Sequence, residues 1–138
     1  MRSFFVVAIK NRYNRREERV NVIKLLIYPK CSTCKKAMQW LDDNGINYET
    51  RHLIEDSLSV NELKEIHMKL NLPIKKLFNT SGVKYRELEL KNKIPRLSTE
   101  ELYKLLASDG MLVKRPLAID ANKIVLGFNP SQYESEWL

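Results

Sequence analysis

The sequence predicts an α/β fold: a four-stranded mixed sheet whose βαβ and ββα halves are separated by a helical insertion. Three observations predict it. The run Val22-Ile23-Lys24-Leu25-Leu26-Ile27-Tyr28 is short and mostly aliphatic, as a strand buried on both faces is. A helical period follows and gives way to alternation, which makes a βαβ unit. Near the C-terminus two apolar runs flank a tight polar connection, as in a β-hairpin.

Taken in order, the first strand stops at Pro29. In the helix after it, Ala37, Trp40 and Leu41 fall at i, i+3 and i+4, with Asp42 and Asp43 off that face. Gly45 sits where a helix C-terminus wants a glycine. Ile46 to Leu53 alternates as a second strand, and a right-handed crossover makes it parallel to the first. Ser59-Val60-Asn61-Glu62 is a capping box, followed by Leu63, Ile66, Met68 and Leu70 as the apolar positions, and Pro73 ends that helix after Asn71. Ile74 to Phe78 and Val83 to Leu90 read as two short helices. Ser98-Thr99-Glu100-Glu101 is a second capping box; Leu102, Leu105 and Leu106 form the apolar face and Gly110 closes the helix. Leu117-Ala118-Ile119 and Ile124 to Phe128 flank Asp120-Ala121-Asn122-Lys123. A last helix starts at Asn129-Pro130-Ser131 and folds Tyr133 and Trp137 back on the sheet. That order is thioredoxin-like, of the glutaredoxin type, with the insertion in place of a single crossover helix.

Composition narrows the function classes. The 138 residues, 43% apolar and 30% charged, are enough for one globular domain with a real core. No apolar run approaches the roughly 20 residues of a membrane span, and two cysteines build neither a disulfide scaffold nor a four-thiolate zinc site. Of the net charge of +7, residues 1–21 hold +4, from six basic and two acidic side chains. The domain proper is therefore read as 22–138, and 1–21 as a poorly ordered basic extension or a start assigned too far upstream. The apolar part of that extension is too short, and too quickly followed by arginines, for a signal peptide. The residual charge of the domain is mild, which argues against direct nucleic-acid binding; an electrostatic arm at 1–21 is the one alternative. With no targeting signal, the cytoplasm is the expected compartment.

The chemistry centres on Tyr28-Pro29-Lys30-Cys31-Ser32-Thr33-Cys34-Lys35-Lys36. A Cys-x-x-Cys between a buried strand and the first turn of a helix is a redox signal. Free amides and the helix dipole favour an anion there, so Cys31 is expected to be a thiolate and the attacking thiol. Lys30, Lys35 and Lys36 are expected to add to that field. Cys34, one turn on, is placed to resolve a mixed disulfide at Cys31. A metal site would need more ligands, and His52 and His67 show no paired spacing. An exposed helix start is also a poor place for two inert thiols.

From about Ile23 to Leu138 the chain resembles the arsenate reductase/Spx (ArsC-like) family of thioredoxin-fold proteins. The resemblance rests, in order, on the segment from Tyr28 to Lys36, on Leu77-Phe78-Asn79-Thr80-Ser81-Gly82, on Lys114-Arg115-Pro116-Leu117 and on Val125-Leu126-Gly127-Phe128. It implies that Cys31 is the reactive cysteine and that Arg115 binds an oxyanion and stabilises the thiolate. It implies too that Pro116 is cis and packs beside the active sulfur. Lys30, Ser32, Thr33, Lys35 and Asn79 complete the expected site, and no metal is called for. The chain departs from the glutaredoxin-coupled arsenate reductases it resembles, which carry a serine at Cys34 and two further arginines. Asn79 and the Gly127-Phe128 stretch stand where those arginines should be. With one guanidinium fork instead of three, the site is poorly suited to a divalent oxyanion.

The reading is a thiol–disulfide oxidoreductase that needs no cofactor, because its electrons are held in sulfur, and is recycled by thioredoxin or glutaredoxin. The alternative, also from the resemblance, is an Spx-like redox-sensing regulator that binds the C-terminal domain of the RNA polymerase α subunit.

Overall fold

The computed structural model describes residues 22–138; the basic extension at 1–21, and the arm considered for it, lie outside the described residues. The chain runs β1 (Ile23–Ile27), α1 (Ser32–Asp43), β2 (Tyr48–His52), α2 (Val60–Leu70), a 3-10 turn (Ile74–Leu77), α3 (Val83–Glu87) and α4 (Leu90–Lys93). A second 3-10 turn (Ile94–Arg96), α5 (Thr99–Ser108), a third (Gly110–Leu112), β3 (Leu117–Ile119), β4 (Ile124–Leu126) and α6 (Pro130–Trp137) complete it. The four strands form one mixed sheet in the order β2-β1-β3-β4. β1 pairs parallel with β2, Ile23 opposite Tyr48 and Ile27 opposite His52, and antiparallel with β3, Leu25 opposite Ala118. β3 and β4 make the expected hairpin, with Ile119 opposite Ile124. The Asp120 carboxylate accepts from the amides of Asn122 and Lys123 and so closes its loop.

Side chains alternate across a strand, and β1 shows why it is apolar throughout. Ile23, Leu25 and Ile27 enter a core layer with Cys34, Ala37 and Leu41 of α1, Val125 of β4 and Tyr133 of α6. Leu26 enters the opposite layer, formed with Leu63 and Ile66 of α2, Leu102 and Leu106 of α5 and the short helices between them. Lys24, on the same side as Leu26, lies beyond that cover and is exposed.

Local chemistry sets the helix ends. After α1, the amide of Gly45, with φ +66°, bonds Asp42 O and that of Ile46 bonds Leu41 O, a Schellman pair that only a residue tolerant of positive φ completes at low cost. Both capping boxes form, Ser59 with Glu62 and Ser98 with Glu101. Arg51 of β2 forks onto Glu62 at 2.6 and 3.0 Å. That hydrogen bond is the main reason the Glu62 carboxyl is held down at about 2, against a burial effect of opposite sign.

Four expectations fail in detail. Met68 is 78% exposed; Leu63, Ile66 and Leu70 keep the helical period, and a residue two after Ile66 points away. Tyr103 takes an inner place in α5 while Leu105 is half-buried, because His67 Nδ1 lies 2.6 Å from its hydroxyl and satisfies it. Val83 to Leu90 is not one helix: Glu89 turns left-handed (φ 54°) and sends Leu90 inward at the start of α4. Gly110 is not a C-cap of α5, which ends at Ser108 with Asp109 extended. Instead it lets backbones meet: a Cβ there would lie 2.2 Å from Leu53 O. Among the described residues no helix is long and apolar enough to cross a membrane.

Gly110→Ala is therefore expected to force apart the turn after α5 and the chain leaving β2. The urea midpoint should fall by the equivalent of roughly 1–3 kcal/mol, the usual scale of overpacking, with the slope unchanged. An unaltered midpoint would show that this contact is slack.

Candidate functional site

The buried strand β1 delivers the chain to an exposed turn. The Tyr28 carbonyl accepts from the Cys31 amide at 2.9 Å, and Cys31, at φ −85° and ψ 120°, becomes the N-cap of α1. Its sulfur accepts from the Cys34 amide at 3.4 Å. A helix start leaves four amides without partners, and an N-cap side chain normally offers one of them an oxygen. Here a sulfur does so, and an anionic sulfur is the better acceptor.

The two cysteines, both free thiols, lie in different surroundings: Cys31 is half-buried and Cys34 fully buried in the α1 layer. Burial raises the Cys31 thiol, but hydrogen bonds from the Cys34 side chain and amide, the Arg115 guanidinium and the Thr33 amide outweigh it. Its pKa ends lowered. Burial pushes Cys34 up, to about 12. The Tyr28 backbone and Arg115 pull it down, while hydrogen bonding to Cys31 and the charge there push it further up. Of the two, Cys31 gives up its proton the more readily and Cys34 holds its own the more tightly.

Arg115 is the cation that acts on both sulfurs. Its guanidinium lies 5.3 Å from the centre of the Tyr28 ring, and its Nη1 donates to the carbonyls of Met111 (3.2 Å) and Val113 (3.3 Å). Its Nε is buried without a hydrogen-bond partner among the described residues. A buried donor left open in this way is one a bound acceptor could fill. The Arg115–Pro116 bond is cis. Gly127, at φ +76°, donates its amide to the Pro116 carbonyl at 2.8 Å, which fixes the Arg-Pro corner to the end of β4.

The other expected residues divide. Thr33 contributes its amide to Cys31. Ser32, Lys30 and Lys35 are exposed, and the field at Cys31 traces to amides and Arg115, not to Lys30, Lys35 or Lys36. Asn79 is half-buried, with its amide on Leu112 O (2.8 Å) and its carbonyl on the Gly82 amide (3.0 Å); the missing Cβ of Gly82 leaves room for its side chain. No hydrogen bond joins Asn79 to either cysteine among the described residues. His52 accepts from the amides of Ile54 and Glu55, and His67 lies between Tyr103 Oη and Leu72 O, so both imidazoles serve the fold.

Tyr28 is the residue that sequence reasoning passed over; it seats Arg115 with its ring and turns the chain with its carbonyl. The cue was an aromatic directly before the Pro-x-Cys turn. Tyr133 is the second: its hydroxyl is buried without a hydrogen-bond partner among the described residues, and burial first, then the charge Cys34 carries when ionised, raise its pKa. Its ring stands edge-on to Trp40, Phe128 and Trp137 at 5.5, 4.7 and 6.4 Å, roofing the buried thiol's layer.

Comparison with known proteins gives the family. The ArsC family model matches residues 26–135. The chain is 50% identical to YusI of Bacillus subtilis, an uncharacterised protein, over 80% of this chain and 93% of that one. It is 29% identical to the global transcriptional regulator Spx 2 of Bacillus anthracis, over 74% and 76%. Among solved structures it matches an ArsC family related protein from Bacteroides fragilis with a TM-score of 0.78, at 46% identity over 82% of this chain and 95% of that one. The arsenate reductase of Vibrio cholerae matches with a TM-score of 0.70, at 28% identity over 83% and 98%.

In Cys34→Ser, the rate of Cys31 alkylation plotted against pH is expected to turn over below the roughly 8.5 of a free thiol. The thiolate is the reacting form, so Arg115→Met should move the midpoint up and slow the reaction at neutral pH. A midpoint at or above the free-thiol value with Arg115 in place would remove the electrostatic account of the site.

Proposed function

The chain belongs to the ArsC family, and we propose that it acts there as a thiol–disulfide redox protein with Cys31 as the attacking sulfur and Cys34 as the resolving one. The observation that carries this is the N-cap: a sulfur held by the α1 amides and Arg115, with a second thiol one helical turn away. The Cys31 thiolate attacks a disulfide R–S–S–R′. One Cys31–S–R bond forms, the S–S bond breaks, and R′S⁻ leaves with the electron pair. Cys34 then loses its proton to solvent or to the departing thiolate, attacks the Cys31 sulfur and releases RS⁻. The protein ends oxidised by two electrons as a Cys31–Cys34 disulfide.

The high pKa of Cys34 fits this order. Two of the effects that hold it up, the hydrogen bond and the charge of Cys31, vanish once Cys31 is neutral in a mixed disulfide, and the pull of Arg115 remains. Resolution is thus held back until there is something to resolve. A thioredoxin- or glutaredoxin-type dithiol returns the two electrons, and no bound cofactor is needed. Arg115 steadies the thiolate and the developing charge on the leaving sulfur; Pro116 shapes the wall beside it. Arsenate is a poor fit, since Asn79 supplies no charge where the reductases that the chain resembles carry an arginine.

A second reading has its own support in the similarity to Spx 2. There the same disulfide is a switch, and the partner is the RNA polymerase α C-terminal domain.

Cys34→Ser is expected to accumulate a stable mixed disulfide when offered oxidised protein substrates, and Cys31→Ser to accumulate none. Recycling with thioredoxin or glutaredoxin should sustain disulfide reduction while leaving arsenate essentially untouched. Turnover of neither arsenate nor any disulfide, together with oxidation-dependent capture by the polymerase α domain, would hand the site to the regulator reading.

A further inference from the structure

Beside the Arg115–Pro116 corner lies an open cavity of about 490 Å³ whose walls include Pro73, Lys75, Lys76, Phe78, Lys114 and Leu126. Two extended segments build it. The Lys114 amide donates to Leu77 O at 2.7 Å and the Asn79 amide to Leu112 O, with Phe78 bridged to Val113, so residues 77–79 and 112–114 run as a short antiparallel ribbon. Lys114 immediately precedes the arginine that acts on both sulfurs. Its Cε would lie 3.6 Å from a Cβ at Gly127, which places its stem along the residue whose amide binds Pro116. The cavity therefore borders the corner that presents Arg115 to the cysteines.

The charges of this cavity are of one sign. Its walls hold three lysines and no carboxylate, and none of the three makes an ion pair among the described residues. A second cavity, between the sheet and α2, makes the contrast: Lys24, Arg51 and Lys69 share its walls with Glu62 and Glu65. Unbalanced ammonium groups over an apolar floor of Pro73, Phe78 and Leu126 are complementary to an acidic ligand with some apolar surface. The trough is bounded by extended backbone on one side and by the edge strand β4 on the other, which suits a length of extended chain.

We propose that this groove docks an acidic segment of the protein substrate that brings its oxidised cysteine to Cys31. The proposal rests on the redox reading above and names its substrate class: protein disulfides flanked by Asp or Glu. The lysines set how often a productive encounter forms; the bond exchange itself remains the work of Cys31.

The test uses the full chain as Cys34→Ser and two cysteine peptides, one with Asp and Glu flanks and one with Asn and Gln in their place, each joined by a disulfide to uncharged 2-thiopyridine. Attack by Cys31 transfers the peptide sulfur and releases thiopyridone, whose absorbance gives the rate. The acidic peptide is expected to react roughly tenfold faster at low ionic strength. That preference should shrink toward none near about 1 M salt, where charges are screened within about 3 Å. In Lys75→Gln/Lys76→Gln/Lys114→Gln the acidic-to-neutral ratio should fall close to one. The double variant Lys75→Gln/Lys76→Gln, whose positions are exposed, should lower it part of the way and guards against a folding fault at Lys114. Equal rates for the two peptides in the parent protein would overturn the groove while leaving the redox reading intact. So would a preference that survives the triple change, since it would then belong to cations outside the groove, Arg115 or the exposed Lys30, Lys35 and Lys36. Failure of both peptides to react would instead bring down the redox reading itself.

Discussion

One sulfur serves as the first hydrogen-bond acceptor of a helix, and the rest of the site is arranged around that substitution. An oxygen at the N-cap would satisfy the α1 amides equally well and do no chemistry. A helix N-terminus favours an anion by about 0.3–1 kcal/mol when exposed, and by up to about 2 when partly buried. Since one pKa unit is about 1.4 kcal/mol, the helix alone could lower a thiol by about a unit. Half-burial of Cys31 works against it. The balance therefore needs the Arg115 guanidinium and the Cys34 side chain, both of which lower the same group.

That need explains why the sheet is mixed and the Arg-Pro corner lies where it does. β1 is central, buried on both faces, and ends at the active turn. β3, its antiparallel neighbour on the other side from β2, begins at Leu117, directly after Arg115–Pro116. Pairing β3 to β1 antiparallel brings the start of β3 to the end of β1, so a residue some eighty positions away arrives beside the cysteines. The Tyr28 ring and two main-chain carbonyls then hold the guanidinium.

What could be read in advance was what depends on near neighbours in the chain. The two Ser-x-x-Glu boxes and the Gly45 stop are satisfied within five residues, and the aliphatic run of β1 declares its burial by composition alone, although its strand partners lie far along the chain in β2 and β3. Met68, Tyr103, Glu89 and Gly110 depend on what lies across the fold: the direction of α2, the His67 imidazole, the pocket that takes Leu90, and the Leu53 carbonyl. Arg115 was legible only through the resemblance, since an arginine before a strand has no local signature. The three lysines around Cys31 show the opposite error. They are near in sequence but extend into water, where screening weakens them, whereas an arginine from the far half of the chain lies where solvent is partly excluded.

The proposed preference for a disulfide over an oxyanion follows from the same geography. A desolvated divalent oxyanion must be met by compensating charge at the point of binding, or the cost of taking it from water prevails. Around Cys31 the chain supplies one guanidinium, and Asn79 carries only a neutral side chain, on a backbone held between Leu112 and Gly82. A disulfide arrives uncharged at its sulfurs and develops one negative charge only as its bond breaks. One guanidinium and the open end of a helix are matched to that single charge, and in the proposed exchange Cys34, freed of its charged neighbour, completes the reaction.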